Sequence, residues 1–346
     1  MDTRHIGPQA DVLIAGAGPA GCAAAIVCAV AGLRTVLLER APGPVSRPGE
    51  ALHPGAEVLL ARLLPDGFAD AVRARHEGIT VGWGAEPRFQ PFGQDAAGSW
   101  YGFQVDRQRL DALLLDRARQ AGAEVHLGCR ALEPVVEGGA VNGVRLGRAG
   151  RLLRTGTVID ATGRVRWLSR ALGLSGPPRS PRLLTWYGYA TGACPERDAA
   201  PAIVADGSGW TWTARVGPDR YQWMRLDFVP QQGRRPRLPQ EFAGLEPEGR
   251  PRAADVSWRL CPQPAGPGWF IAGDAGVLLD PASSHGVLRA LLSGWTAGSL
   301  TAAAADRSLE PGRAAGMYRE WLREGAERDM THLSARYAEL GAPGFG

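Results

Sequence analysis

Near the start of the chain three glycines and one acid stand at a spacing that can hold a nucleotide. Gly16, Gly18 and Gly21 follow the apolar run Val12 to Ala15, and Glu39 lies eighteen positions beyond the last of them. In such a pattern the first glycine makes a tight turn and the second lets the backbone approach a pyrophosphate. The third allows a helix to lie close on its strand. With Pro19 and Ala20 they open a helix expected over Pro19 to Ala31, whose unpaired N–H groups would face phosphates. Thr35 to Leu38 read as a second strand that delivers Glu39 and Arg40 to the same place. A carboxylate at Glu39 can accept from both ribose hydroxyls and would repel a 2′-phosphate, so FAD or NAD is expected and NADP is not.

A nicotinamide dehydrogenase needs no further nucleotide motif far along the chain, whereas a flavin has to be held along its whole length. Three more such motifs are present. Phe103 to Asp111 opens a helix in which Arg107 can reach a flavin phosphate or ribityl chain. Val158-Ile-Asp160-Ala-Thr162-Gly163-Arg164 ends a strand with an acid and a glycine turn beside the nucleotide, and Phe270-Ile-Ala-Gly273-Asp274-Ala275 ends another with an acid suited to ribityl hydroxyls. Further on, Pro281 stops a strand, and a helix starting near Ser284 would aim its N–H groups at the flavin N1 and C2 carbonyl, with Gly286 also expected to border the cofactor. Reduction places negative charge there, which a helix N-terminus stabilises. His285 either sits beside the ring or, with Ser283, caps that helix.

The scaffold that must position these residues begins as strand, helix, strand. A Pro-rich stretch from Ala41 to Pro48 leads to a helix near Pro54, and short strands and loops fill Gly78 to Gly102. Helical periodicity returns over Arg107 to Ala121, followed by a strand at Glu124 to Leu127. Val135 to Leu146 and Arg151 to Ile159 read as a meander turning at Gly138-Gly139. From about 182 to 260 the chain is strand-rich and broken by loops, notably Pro230 to Pro239. It returns to the nucleotide fold at Gly268 to Asp274 and ends in helices from about Ser284 to Leu340. The expected class is α/β: a Rossmann-like FAD-binding domain (1–80, 100–180 and 261–300), an inserted antiparallel β-sheet substrate domain (81–99 and 181–260), and C-terminal helices (301–346).

Of the 346 residues 45% are hydrophobic and 21% charged, as in a folded soluble protein. All 39 basic residues are arginine, for there is no lysine, and against 35 acids they leave a net charge of +4. They are dispersed without interleaved aromatics, which argues against a nucleic-acid partner. Five scattered cysteines without a C-x-x-C pair suit a reduced, cytoplasmic protein. The first residues are too polar for a signal peptide, and no apolar run reaches the ~18 residues of a membrane anchor. His5, His76, His126 and His332 lack companions at metal-ligand spacing and read as surface or structural, so no metal is expected. Cys22 and Cys28 read as small core residues of the first helix.

In this order the motifs resemble the FAD-dependent monooxygenases of the para-hydroxybenzoate hydroxylase fold, over about residues 10–60, 100–175 and 265–300. Arg47-Pro-Gly-Glu50-Ala-Leu-His53-Pro, Gly209-Trp210-Thr-Trp212-Thr and Asp280 to Gly286 resemble its tryptophan-halogenase-like branch. Non-halogenating members of that branch include flavoproteins that mature cysteine-tryptophylquinone enzymes by oxygenating a tryptophan of a partner protein. The resemblance implies monooxygenation: reduced flavin takes up O2 as a C4a-hydroperoxide and passes oxygen to an electron-rich ring. Tryptophan, indole or phenol would qualify, free or borne on a peptide or protein. NADH or NADPH, bound transiently, or a separate flavin reductase would supply the electrons. Halogenases of the branch use a lysine to relay hypohalous acid. This chain has none, arginine is a poor nucleophile, and Ala214-Arg215 stand where the family has Ile-Pro, so halogenation is not expected.

Glu50 and His53 lie one helical turn apart at the start of a helix that, by resemblance, passes the dimethylbenzene or N5 side of the flavin. Together with His285 they are the expected general acids or bases. The pairs Tyr187/Tyr189, Trp210/Trp212 and Tyr221/Trp223 have period two, so each projects from one face of a strand. If those faces meet over the flavin they form a dry aromatic box walled by Tyr187, Trp210, Trp212 and Trp223; otherwise they are sheet core. The same fold also supports a dehydrogenase or reductase without oxygen insertion, or a maturation partner whose FAD does not turn over.

Overall fold

The apolar run before the glycines forms the strand Gln9–Ala15, buried at the centre of an eight-stranded sheet because helices cover it. The computed structural model describes residues 7–45, 47–96, 98–147, 150–229 and 237–345. Gln9–Ala15 pairs in parallel with Thr35–Glu39 on one side and Arg151–Asp160 on the other, and Glu124–Leu127 extends the sheet. The register sets Leu38, Ala15, Asp160 and Ile271 side by side. The turns that follow these strands therefore leave from one edge, where open parallel sheets bind their ligands.

Arg151–Asp160 divides its partners. Its first half runs antiparallel to Ala140–Leu146, and its last three residues run parallel to Trp269–Ile271. The meander turns at Gly138-Gly139, both with positive φ, as the hairpin geometry requires. Against this sheet the helix Pro19–Val30 lies so close to the helix Gly286–Ala305 that a Cβ on Gly294 would come within 2.0 Å of the Ala20 carbonyl oxygen. The helix Arg107–Gln120 starts where Asp106 accepts the Arg109 amide.

A second sheet has seven strands in the order Glu246–Asp255, Leu184–Thr191, Arg220–Asp227, Gly209–Gly217, Ala202–Asp206, Gly78–Trp83 and Arg88–Pro91. All its neighbours are antiparallel except Ala202–Asp206 with Gly78–Trp83. The long helix Pro311–Glu339, capped by Glu310, packs Tyr318, Leu322, Met330 and Tyr337 into the same core that holds the first sheet's inner face and Trp210. No described helix is long and apolar enough to cross a membrane.

Two local expectations change. Glu50 and His53 do not share a helix: Ala51–Leu52 between them is a short strand paired with Gly102–Val105, and the helix is Gly55–Leu63. Pro54 is the cause, since a residue preceding proline is pushed out of the helical region. The helix expected near Ser284 begins at Gly286, after a 3-10 turn Pro281–Ser283 and a left-handed Ser284 at φ 54°. Most of the loop expected over Pro230 to Pro239 lies outside the described residues, as does His5.

Candidate active site

One connected cleft of about 640 Å³ runs from the glycine turn along the edge of the first sheet to the inner face of the second. At one end Gly16, Gly18, Pro19, Ala20, Glu39, Arg40 and Arg130 line it; Arg47, Arg107, Thr162, Gly163, Arg164, Gly273 and Asp274 line its middle. The three glycines of the first turn differ in what surrounds them. A Cβ on Gly21 would lie 1.7 Å from the Gly16 carbonyl oxygen, and one on Gly16, at φ 103°, would lie 2.4 Å from the Ala161 oxygen. Gly16 and Gly21 are thus glycine for the fold's sake, and Gly21 itself does not line the cleft. Around Gly18 no protein atom lies within 4 Å of such a Cβ, so the space it leaves faces a ligand.

Glu39 pins this turn by accepting the Ala17 and Ala41 amides, one on each oxygen at 2.9 Å, and keeps a lone pair on each for a hydroxyl. Asp274 has no hydrogen-bond partner among the described residues, although burial pushes its carboxyl up. The guanidiniums of Arg164, Arg289, Arg107 and Arg47 oppose that shift. A carboxylate awaiting hydroxyl donors, set among arginines beside an open glycine turn, suits the ribityl and pyrophosphate of FAD. Arg107 is itself held by Asp111 at 3.2 Å and by the Pro48 carbonyl at 3.3 Å.

Asp160 departs from its expected role. It is fully buried, does not line the cleft, and its oxygens are taken by the Thr162 amide and hydroxyl and the Leu168 amide at 2.6–2.9 Å. Its work is to shape the Gly163 turn from behind.

At the far end Pro281, Ser284, Gly286 and Val287 form one wall, so the amides of the first turn of Gly286–Ala305 open on the cleft. Neither Ser283 nor His285 caps that helix with its side chain. His53 lines the cleft, whereas His285 packs behind it at 4.8 Å between ring centroids. Burial lowers the pKa of both, with His285 adding to the effect on His53. The His53 Nδ1 accepts the Gly55 amide at 3.1 Å, which leaves its proton on Nε2. Glu50 also lines the cleft; it accepts the Gly49 amide at 2.7 Å and the Tyr189 hydroxyl at 2.6 Å, tying this loop to the second sheet.

The second sheet roofs this end with Tyr187, Trp210, Trp212 and Met224, since register places Tyr187, Met224 and Trp212 in one row. Trp223 is not part of the roof. Paired with Gly188 and Thr213, it points to the opposite face and packs with Tyr221 and Phe242 in a separate core.

The family model described as FAD dependent oxidoreductase matches residues 11–171. A digeranylgeranylglycerophospholipid reductase of Methanoculleus marisnigri is 30% identical over 332 residues, covering 87% of this chain and 79% of that protein. The chain belongs to the FAD-dependent oxidoreductases. It is also similar to a flavin-dependent halogenase of Armillaria mellea, 28% identical over 89% of this chain and 68% of the other. Among solved structures the flavin-dependent halogenase CmlS superposes with a TM-score of 0.83 at 24% identity, covering 96% of this chain and 65% of that one, and shares its fold.

Several residues of this FAD-dependent oxidoreductase's cleft had no local signal. Arg130 and Arg289 stand in no motif, Arg164 closes the Gly163 motif without a role of its own, and the register of three strands decides that Gln222 and Met224 face inward. Of the histidines expected to be surface or structural, His76 is buried, lines the cleft, and lies tilted at 5.7 Å from Phe92, which lies 5.9 Å from His53. Burial pushes its pKa down to about 4, so it is neutral near pH 7. His126 bonds Glu124, and His332 is exposed, as expected of structural and surface residues. Among the described residues no cluster could hold a metal.

Proposed function

We propose that this oxidoreductase is a non-halogenating monooxygenase that hydroxylates an electron-rich aromatic ring. The observation that carries this reading is the roof of Tyr187, Trp210, Trp212 and Met224, which closes the end of the cleft where His53 and the first turn of Gly286–Ala305 lie. Bound FAD would supply electron transfer and the activation of O2. Gly16, Gly18, Pro19, Ala20, Glu39 and Arg40 would hold its ADP half. Arg107, Thr162, Gly163, Gly273 and Asp274 would hold the pyrophosphate and ribityl chain, and Pro281, Ser284 and Gly286 would border its ring.

The chain's own side chains then have separable tasks. Trp212, Tyr187 and Phe92 offer faces and edges on which a flat ring can stack, and with Met224 and Ile203 they exclude water. His53 holds a proton on Nε2, from which it can hydrogen-bond a substrate oxygen. Glu50 and Tyr189 fix the His53 loop against the roof. His285 keeps the His53 ring in place.

The absence of lysine supports oxygen transfer over halogenation. A second reading, reduction without oxygen insertion, is favoured by the 30% identity to the digeranylgeranylglycerophospholipid reductase of Methanoculleus marisnigri and by the apolar side chains Ile79, Ile203 and Met224 in the cleft lining. One experiment separates them: reduce the protein anaerobically, admit 18O2, and offer free indoles, phenols and tryptophan-bearing peptides. Products heavier by one 18O atom support the proposal and identify whether the ring is free or peptide-borne. Substrate reduced by two hydrogens without label overturns it. NADH, NADPH and a separate reductase are compared as donors in the same assay.

A further inference from the structure

Behind the cleft wall at Pro281 lies a buried hydrogen-bond chain drawn from three parts of the molecule. Asp280 is fully buried and accepts the Trp258 indole N–H at 2.6 Å on Oδ2. On Oδ1 it accepts the Tyr337 hydroxyl and the Ala282 amide, each at 2.9 Å. The Tyr337 oxygen in turn accepts the Trp210 indole N–H at 2.8 Å. Tyr337 comes from the last helix, Trp210 from the second sheet, and Trp258 from the segment that returns the chain to the first. The Tyr337 ring stacks against Trp83 and Trp258, each 6.0 Å away.

No cation pairs with Asp280 among the described residues, yet its donors call for a charge. Indole and backbone N–H groups can donate but not accept. A proton on Oδ2 would oppose the Trp258 N–H. A proton on Oδ1 would need Tyr337 to turn its own hydrogen away, into a space already occupied by Trp210. Burial pushes the Asp280 carboxyl up, and the Trp258, Tyr337 and Ala282 donors oppose that shift; all three bonds are made together only around a carboxylate.

We propose that Tyr337 is a positioning residue: with Trp258 it fixes Asp280 as a negative charge behind the Pro281–Ser284 wall and so lowers the reduction potential of FAD bound in the cleft. Reduction adds negative charge to the flavin. A buried carboxylate behind the wall opposes that step, while the N-terminus of Gly286–Ala305 favours it. Their balance would let a residue that touches neither cofactor nor substrate tune the redox chemistry. The inference rests on the cleft holding FAD and is independent of which substrate is turned over.

The test is the two-electron midpoint potential of the FAD-loaded protein, without substrate, at one pH, by equilibration with a reference dye. The variants are Tyr337→Phe, Trp258→Phe, Asp280→Asn and, for comparison, Tyr318→Phe. Tyr318 is an equally buried tyrosine of the same helix whose hydroxyl bonds the Ile271 carbonyl at 2.9 Å, remote from this chain of bonds. Tyr337→Phe and Trp258→Phe should each raise the potential by a several-fold shift in relative affinity toward reduced FAD. Asp280→Asn should reach about tenfold, which for two electrons is about 30 mV. Tyr318→Phe should lose stability without this shift. If Tyr337→Phe and Trp258→Phe are destabilised like Tyr318→Phe and all three keep the wild-type potential, the role is structural and the proposal is overturned. A protein that binds no FAD would overturn both the cleft reading and this one, whereas FAD bound at unchanged potential overturns this one alone.

Discussion

Replacing Gly18 by alanine should separate the binding of FAD from the folding of the protein. Gly18 has φ −79° and ψ −175°, an extended backbone that alanine adopts freely, and no protein atom lies within 4 Å of the added methyl. The apoprotein should therefore lose no more than about 0.5 kcal/mol of stability and can gain up to about 1 kcal/mol from a less flexible unfolded chain. The methyl enters the space left for the pyrophosphate, so FAD affinity should fall at least tenfold, about 1.4 kcal/mol. At FAD one hundred times the wild-type Kd, the ligand stabilises wild type by about 2.7 kcal/mol and a tenfold weaker binder by about 1.4. Urea unfolding with and without FAD reads both quantities. Gly21→Ala is the contrast: its methyl would lie 1.7 Å from the Gly16 oxygen, and apoprotein stability should fall by about 1–3 kcal/mol or more. Should Gly18→Ala bind FAD like wild type, or unfold as readily as Gly21→Ala, the assignment of Gly18 to the ligand is wrong.

The buried His76 predicts an acid sensitivity. Its folded pKa is about 4 while an unfolded histidine titrates near 6.5, so the unfolded chain takes up a proton first as pH falls. Its contribution is complete above about pH 6.5 and is lost towards pH 4, on the order of 3 kcal/mol. Urea midpoints from pH 4 to 7 should fall more steeply for wild type than for His76→Gln. Trp212→Ala should raise the KM for an aromatic substrate about tenfold, while Trp223→Ala should cost about 3–5 kcal/mol of stability and leave the KM of the folded fraction alone, a difference that steady-state kinetics and thermal unfolding resolve together. All five cysteines are buried and free, so a thiol reagent should find none accessible in the native protein and five after denaturation.

What was legible in the sequence followed short-range rules. Gly16, Gly18 and Gly21 declare a turn through spacing alone, and the periodicity of Arg107 to Ala121 declares the helix found at Arg107–Gln120. Long-range partners were less visible. Trp210 and Trp223 look alike in the chain, yet a strand's register sends one to the cleft and the other to the opposite face. Asp160 carries the motif of a ligand-binding acid, but it is fully buried and three nearby donors engage it from behind. Glu50 lines the cleft, but its bond to the Tyr189 hydroxyl, far along the chain, had no sequence signal. His76 gave no sign because its surroundings come from Phe92 and Gly102, which only the folded strand pairing brings near.

The strand Arg151–Asp160, split between an early antiparallel neighbour and the late parallel one Trp269–Ile271, has a consequence for how the molecule comes into being. The edge that delivers Asp274 cannot zip into place until the entire intervening roof has been synthesised and threaded past. Nucleotide capture would then be a late event on the ribosome's timescale, and excising residues 11–171 should yield a fragment lacking one rail of its cradle. In this oxidoreductase the ability to grip FAD would itself report that the other half of the protein has arrived.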